Sequence, residues 1–304
     1  MQIKDAIEEW LDELDIEKAS KETIRAYKNN LILFDRYINN KKEVEKITCE
    51  DIKKYIKTNK DRGLKTKTIN SYIAALRKFF NYCIEESIYT RENPAFSVKQ
   101  IKATDTKVIE VFSAEEMKAL INYNKKSTDF LEFRNNLIVS FLLETGVRNH
   151  ELYNLKDSDI FDQYALLKVT KNSKPRVVPI SKELKKKMRK YERIRKNYFD
   201  KLKKLDKIDD YYFLSRSGKQ LHRTNIGQIV HKVCDELGID SKKAYPHNFR
   251  HTNAVTMLKN TGDIYTVSKL LGHQQVGITE IYLQGIKDDD ILSMVDGKTI
   301  LHNL

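Results

Sequence analysis

At 304 residues, with 40% apolar and 33% charged side chains, the chain exceeds one ordinary domain and holds enough hydrophobic mass for two modest cores, which excludes wholesale disorder. Ten Gly and four Pro exclude collagen-like, Pro-rich and Gly/Ser-linker architectures; the widely spaced Cys49, Cys83 and Cys234 exclude a disulfide framework or a CxxC zinc site. A net charge of +13 at pH 7 points to a polyanionic partner, nucleic acid before any other.

The first residues, MQIKDAIEEWLDELD, are acidic and amphipathic, unlike a signal peptide. No apolar run approaches the ~20 residues that cross a bilayer, so no membrane association is expected and the expected location is the cytoplasm. Trp10 and Leu11 close a short amphipathic helix, and Ser20 is placed to cap a second one carrying Ile24, Tyr27, Leu31, Phe34 and Ile38 on one stripe. Thr48 and Asp51 have capping-box spacing before a helix over Ile52, Tyr55 and Ile56. Residues 66–86 then repeat Ile69, Tyr72, Ile73, Leu76, Phe79, Phe80 and Cys83 on one face. All three cysteines follow such apolar spacing and read as small core residues. Four helices with short polar connections predict a bundle over residues 1–98.

From Asn93-Pro94 to Lys107 the periodicity stops, predicting a linker over 99–108 and a second domain over 109–304. Residues 1–100 hold 20 basic against 17 acidic side chains, a net +3 that leaves +10 for the remainder. Ser113 and Glu116 open the second domain with another capping box. Residues 130–144 form an apolar helix ended by Thr145-Gly146, and Arg148 with Glu151 sits one helical turn apart just beyond it, a spacing that by itself reads as an ion pair. Strands over 165–170 and 176–180 flank a turn of Lys171-Asn172-Ser173-Lys174. Residues 182–204 carry twelve Lys/Arg and three acids, a helix with a solvated basic face or, second, a phosphate-contacting surface. Further on come Pro246-His247-Asn248-Phe249-Arg250-His251-Thr252, then Leu271-Gly272-His273, where the glycine can end a helix, and Tyr282 nine residues past that histidine. The fold class predicted is mainly α: a helical bundle followed by a mostly helical domain with a small antiparallel sheet.

Each of these short motifs is weak alone; their order and spacing together resemble the tyrosine recombinase (phage integrase) family. Its catalytic domain reads T-G-x-R-x-x-E-L, a hairpin Lys, H-x-x-R-H-T, L-G-H, and a Tyr nine residues later. Thr145 to Leu152, Lys171, His247 to Thr252, Leu271 to His273 and Tyr282 fill those slots in sequence, and KNSKPRVVPI at 171–180 is similar to the family's K-x-x-K-x-R-x-V-P run. The N-terminal helices resemble its core-binding domain. Three departures stand out: His150 replaces a small Ser, Asn172-Ser173 replaces the Gly beside the lysine and makes Lys174 a lesser rival to Lys171, and Phe249 is expected to pack inward.

The resemblance implies a site-specific DNA recombinase that cuts and rejoins DNA through a 3′-phosphotyrosyl intermediate. Tyr282 would be the nucleophile, with Tyr265 the first fallback. Arg148 and Arg250 would neutralise the phosphate, suiting the planar fork of a guanidinium. His247 would be the general acid/base, Lys171 would protonate the leaving oxygen, His273 would hydrogen-bond the phosphate, and Glu151 would support Arg148 and His247. No cofactor or metal is called for, because the covalent link conserves the bond energy and no carboxylate cluster is evident. The partners implied are double-stranded DNA with paired inverted core sites and a homotetramer on two duplexes. A C-terminal tail helix over 286–304, announced by Asp288-Asp289-Asp290, would be exchanged between protomers or docked on its own domain. A mobile-element or phage integrase is the expected setting, a Xer-type chromosome-dimer resolvase the alternative and a type IB topoisomerase a more distant one. Because the sequence opens almost at the first helix, no separate arm-site-binding domain is expected.

Overall fold

The computed structural model describes residues 1–39, 43–102, 110–168, 175–202, 208–272, 275, 277–280, 282 and 283. It divides into two compact units, Met1–Thr106 and Lys107–Leu304. Among the described residues no helix is long and apolar enough to cross a membrane.

The first unit is built from α1 (Ile3–Ile16), α2 (Lys21–Tyr37), α3 (Cys49–Asp61) and α4 (Thr66–Glu85). The Ser20 hydroxyl accepts the Thr23 amide at 3.1 Å, and the Thr48–Asp51 capping box closes in both directions. The first helix runs past Leu11 to Ile16, because Leu14 continues the apolar stripe of Ile7, Trp10 and Leu11. Around Trp10, whose ring lies 5.1 Å from Tyr27 and 5.9 Å from Phe79, the faces of α1, α2 and α4 close on one core. The non-periodic stretch after Asn93 is held to this bundle. Ala95 and Val98 are buried, and the Asn70 amide exchanges two 2.9 Å hydrogen bonds with the Ile101 backbone. Cys83 and Cys234 are buried core residues, whereas Cys49 is half-buried with its sulfur 3.0 Å from the Ser97 hydroxyl. It opens α3, where the first turn still faces outward.

The second unit comprises α5 (Ala114–Asn122), α6 (Phe130–Thr145), α7 (Asn149–Tyr153), β1 (Tyr164–Leu167), β2 (Arg176–Pro179), α8 (Lys182–Lys201), α9 (Arg223–Glu236), α10 (Pro246–Thr261), α11 (Ile264–Leu271) and α12 (Gly277–Glu280). Helix α6 is buried almost all round and packs against α5, α8, α9 and α10, which makes it the axis of the unit. Strands β1 and β2 pair antiparallel, Tyr164 opposite Pro179 and Leu167 opposite Arg176, and turn Ala165, Leu167 and Val178 into the core. Among the described residues the ladder starts one residue earlier than predicted, at Tyr164, and β2 ends at Pro179, while residues 169–170 and the turn of Lys171 to Lys174 lie outside them. The helix predicted to reach residue 204 ends at Lys201 with Leu202 as its C-cap, and residues 203 and 204 lie outside the described ones. The predicted tail helix over 286–304 also lies outside them.

Candidate active site

Helix α6 ends where Gly146 adopts φ +60°, a left-handed conformation that costs a glycine little. The chain reverses there, and Arg148 becomes the N-cap of α7. Glu151, three residues on, folds back on it: one carboxylate oxygen (Oε2) accepts the Arg148 amide at 2.7 Å and the other (Oε1) accepts the Arg148 Nη1 at 3.0 Å. The Glu151 side chain is 0% exposed, so its charge needs partners. The second is Arg176, delivered by β2 with Nη2 2.6 Å from Oε2.

Arg250 reaches the same place from α10 and is buried. Its Nη1 donates to the Gly146 carbonyl at 2.9 Å and its Nη2 to the Leu271 carbonyl at 2.6 Å. Arg176 also donates, through Nη1, to the Leu270 carbonyl, and Arg148 Nη2 lies 3.4 Å from the Gly272 carbonyl. Three guanidinium groups therefore converge on the last carbonyls of α11, the negative end of that helix. Gly272 permits this approach: it holds φ +67°, and a Cβ there would fall 2.6 Å from Arg176 Cδ. Burial, with the neighbouring charges of Arg148 and Arg176 behind it, pulls the Arg250 pKa down to about 10. An anion entering this cluster would relieve that repulsion.

Tyr282 follows α12 and is only 1% exposed, enclosed by Ala254, Val255, Leu258, Val267 and Leu271. Burial raises its phenol pKa, while the Arg250 charge and hydrogen bond and the Arg148 charge act in the opposite direction. His251, the residue after Arg250, stands between two aromatic groups. Its ring centroid is 4.5 Å from that of His247 and 5.4 Å from that of Tyr282. Burial first, then the charges of His247 and Arg250, lower its pKa to about 4 and keep it neutral near pH 7. His247 itself is exposed on the first turn of α10.

Arg148, Glu151, Arg250 and Tyr282 are thus gathered into one cluster, with His247 joined to it through the His251 ring. Lys171 and His273 lie outside the described residues. Phe249 packs inward, edge-on to Phe112 at 4.8 Å. His150 turns its ring onto Tyr153 of the same helix, 5.1 Å away. Tyr265, the fallback nucleophile, is 71% exposed at the start of α11. Two residues of the cluster carry no role in the sequence motifs, Arg176 and His251. Both were visible as letters, in the P-R-V-V-P run and the H-T pair, but only their contacts mark them. Among the described residues no group of three or more His, Cys, Asp or Glu is placed to hold a metal ion.

Residues 110–287 match the phage integrase family, and residues 7–87 match the phage integrase N-terminal SAM-like domain. The chain is 30% identical over 282 residues to tyrosine recombinase XerD of Oceanobacillus iheyensis, covering 91% of this chain and 92% of that one. Two solved structures share the fold. One is the XerH site-specific recombinase bound to its palindromic difH substrate (20% identity, TM-score 0.75, 93% of this chain and 81% of that one). The other is the Tn1549 transposon integrase in complex with transposon right end DNA (17% identity, TM-score 0.73, 97% and 99%). With the catalytic and N-terminal domains both matched, the chain belongs to the phage integrase family of tyrosine recombinases and is a site-specific DNA recombinase.

Proposed function

We propose that this recombinase cleaves duplex DNA with Tyr282 as nucleophile. The observation that carries the reading is the buried Tyr282 phenol held by Arg250, in a cluster whose positive charges exceed its single carboxylate. A phosphodiester is anionic and very slow to cleave, so the site must supply charge neutralisation and proton transfer. Arg148 and Arg250 hold the non-bridging oxygens of the scissile phosphate. The Tyr282 oxygen attacks phosphorus while its proton passes to His247. As the P–O5′ bond breaks, Lys171 gives a proton to the departing 5′-oxygen, and His273 donates a hydrogen bond to the phosphate. The products are a 3′-phosphotyrosyl link and a free 5′-hydroxyl, and the reverse attack by another 5′-hydroxyl rejoins strands without an external energy source.

The substrate is double-stranded DNA carrying paired inverted core sites, bound by four protomers on two duplexes, with the tail over 286–304 exchanged between neighbours. Such a protein works at the bacterial nucleoid, in the cytoplasm. Relatives and fold neighbours include a Xer recombinase and a transposon integrase, both bound to DNA in the solved structures named above. Integration or excision of a mobile element and resolution of chromosome dimers use the same strand chemistry. The position of the cleaved site, at an element end or in the chromosome, separates the two settings.

Covalent trapping tests the chemistry. Duplexes from DNA flanking the gene, nicked near the crossover so that a short fragment diffuses away, should give an adduct resistant to SDS with wild type. Tyr282→Phe should bind the same DNA and give none. An adduct that persists in Tyr282→Phe would move the nucleophile to another residue.

A further inference from the structure

Arg176 is the one arginine of the cluster without a role in the strand chemistry above, and its surroundings are built for it. Its side chain is 11% exposed. One end of its fork bonds Oε2 of Glu151 on α7; the other bonds the Leu270 carbonyl at the end of α11. A planar guanidinium can bridge two acceptors on different elements in this way, whereas the ammonium of a lysine cannot hold both at the same geometry. The missing side chain at Gly272 forms the trough in which Arg176 lies, since a Cβ there would meet its Cδ at 2.6 Å and its Nε at 2.9 Å.

The consequence falls on Arg148. Oε2 of Glu151 already accepts the Arg148 backbone amide and Arg176 Nη2, so the Arg148 guanidinium bonds this carboxylate only at Oε1, through Nη1. Without Arg176, a buried carboxylate facing a single guanidinium would draw it into two-point pairing, the arrangement an Arg and a carboxylate prefer. The donors so consumed are those a phosphate would use.

We propose that Arg176 is a positioning residue for strand cleavage: by occupying Oε2 of Glu151 it restricts Arg148 to one-point pairing and leaves the rest of its fork, of which Nη2 makes only a long 3.4 Å contact with the Gly272 carbonyl, for the scissile phosphate. This rests on the reading that Arg148 binds that phosphate.

The test compares adduct formation in single turnover on two nicked substrates, one with the ordinary phosphodiester at the scissile position and one with a methylphosphonate there, which lacks the negative charge. Arg176→Ala should bind core-site DNA within about threefold of wild type, because affinity is spread over many phosphate contacts. On the phosphodiester its cleavage should fall about 100-fold, the order of loss for a misplaced catalytic group. On the methylphosphonate, where the Arg148 charge matters less, the loss should shrink to about fivefold or below. Arg176→Lys keeps the cation without the two-point span, so it should show the same asymmetry with a smaller loss. If Arg176→Ala fails to fold by circular dichroism, Arg176→Lys carries the comparison. Equal losses on both substrates, or no loss on either, overturn the proposal while a Tyr282 adduct in wild type leaves the parent reading standing. No wild-type adduct on bound DNA overturns the parent reading and this proposal with it.

Discussion

At Tyr282 two influences oppose each other. A phenol with a reference pKa of ~10 is almost wholly protonated near neutrality, and burial raises that value further while Arg250 and Arg148 pull it down. As the proposed nucleophile it therefore needs activation from the groups around it, and the leaving oxygen needs its own proton. Lys171→Ala should slow cleavage about 100-fold or more on a normal 5′-oxygen, within the usual range for a general acid, and far less on a 5′-phosphorothiolate, whose sulfur leaves without a proton. Equal losses on both substrates would remove Lys171 from that role. His251 makes a prediction about pH. The unfolded chain takes up a proton on this imidazole near its ordinary value of 6.5, but the folded chain, where His247, Arg250 and Tyr282 face the ring, refuses it until about pH 4. The unfolded state therefore binds more protons between those values, and stability present above pH 6.5 is lost as pH falls toward 4. His251→Phe keeps an aromatic ring there and should lose less stability than wild type between pH 7 and pH 5 in urea denaturation. Parallel losses in the two proteins would place the titrating proton on another group.

The elements differ in how local their causes are. Helix α5 starts where Ser113 accepts the Glu116 amide at 3.2 Å and Glu116 accepts the Ser113 amide at 2.7 Å. Ser113→Ala should cost about 1 kcal/mol in thermal or urea unfolding, the usual value of an N-cap, with cleavage chemistry unchanged. Helix α8 is a less local case. Its apolar seam of Leu184, Met188, Tyr191 and Phe199 is buried, but its basic residues are not one uniform solvated face. Lys185 and Lys190 donate to the carbonyls of Phe161 and Lys125, and Arg195 pairs with Asp157 at 2.8 Å. Lys187 is half-buried, donating to the Ile121 carbonyl, Asn136 and Ser140, and desolvation brings its pKa down to about 8. Much of the charge on α8 thus fastens the helix to its own unit, where it satisfies carbonyls that would otherwise be stranded. Six of its basic residues stay exposed: Lys182, Arg189 and Lys201, and the three Lys186, Arg193 and Lys196. Reversing all three to Glu should leave the salt dependence of DNA binding unchanged, since a phosphate-contacting set would reduce its slope by about one per residue.

Over the whole molecule the net charge of +13 is unevenly shared, and most of the excess belongs to the second unit, which also holds the arginine cluster. That distribution gives the second unit the larger electrostatic pull on a polyanion. Assembly can be checked without strand cleavage. Tyr282→Phe mixed with core-site duplexes should sediment as four protomers on two duplexes at saturation. A complex that never exceeds one protomer per duplex would overturn the tetramer and, with it, exchange of the C-terminal tail between protomers.

The amino-acid sequence by itself determined the mainly helical class, the first bundle, the Thr48 and Ser113 capping boxes, the strand pair and the order of the recombinase motifs. Each of these depends on residue identity within one or two turns of chain, where periodicity and capping chemistry act directly. Helix α9 was less legible, because its first turn is polar and its stripe of Ile226, Ile229, Val230, Val233 and Cys234 begins only afterwards. The tertiary structure decided what those motifs surround. Arg250 meets the Gly146 carbonyl across 104 residues, Arg148 approaches Gly272 across 124, and Glu151 takes its second cation from Arg176, 25 residues away. The neutrality of His251, the burial of Tyr282 and the use of Lys187 as a strut arise the same way. Desolvation and pairing depend on which distant segments pack together, and no local pattern in the chain encodes that distance.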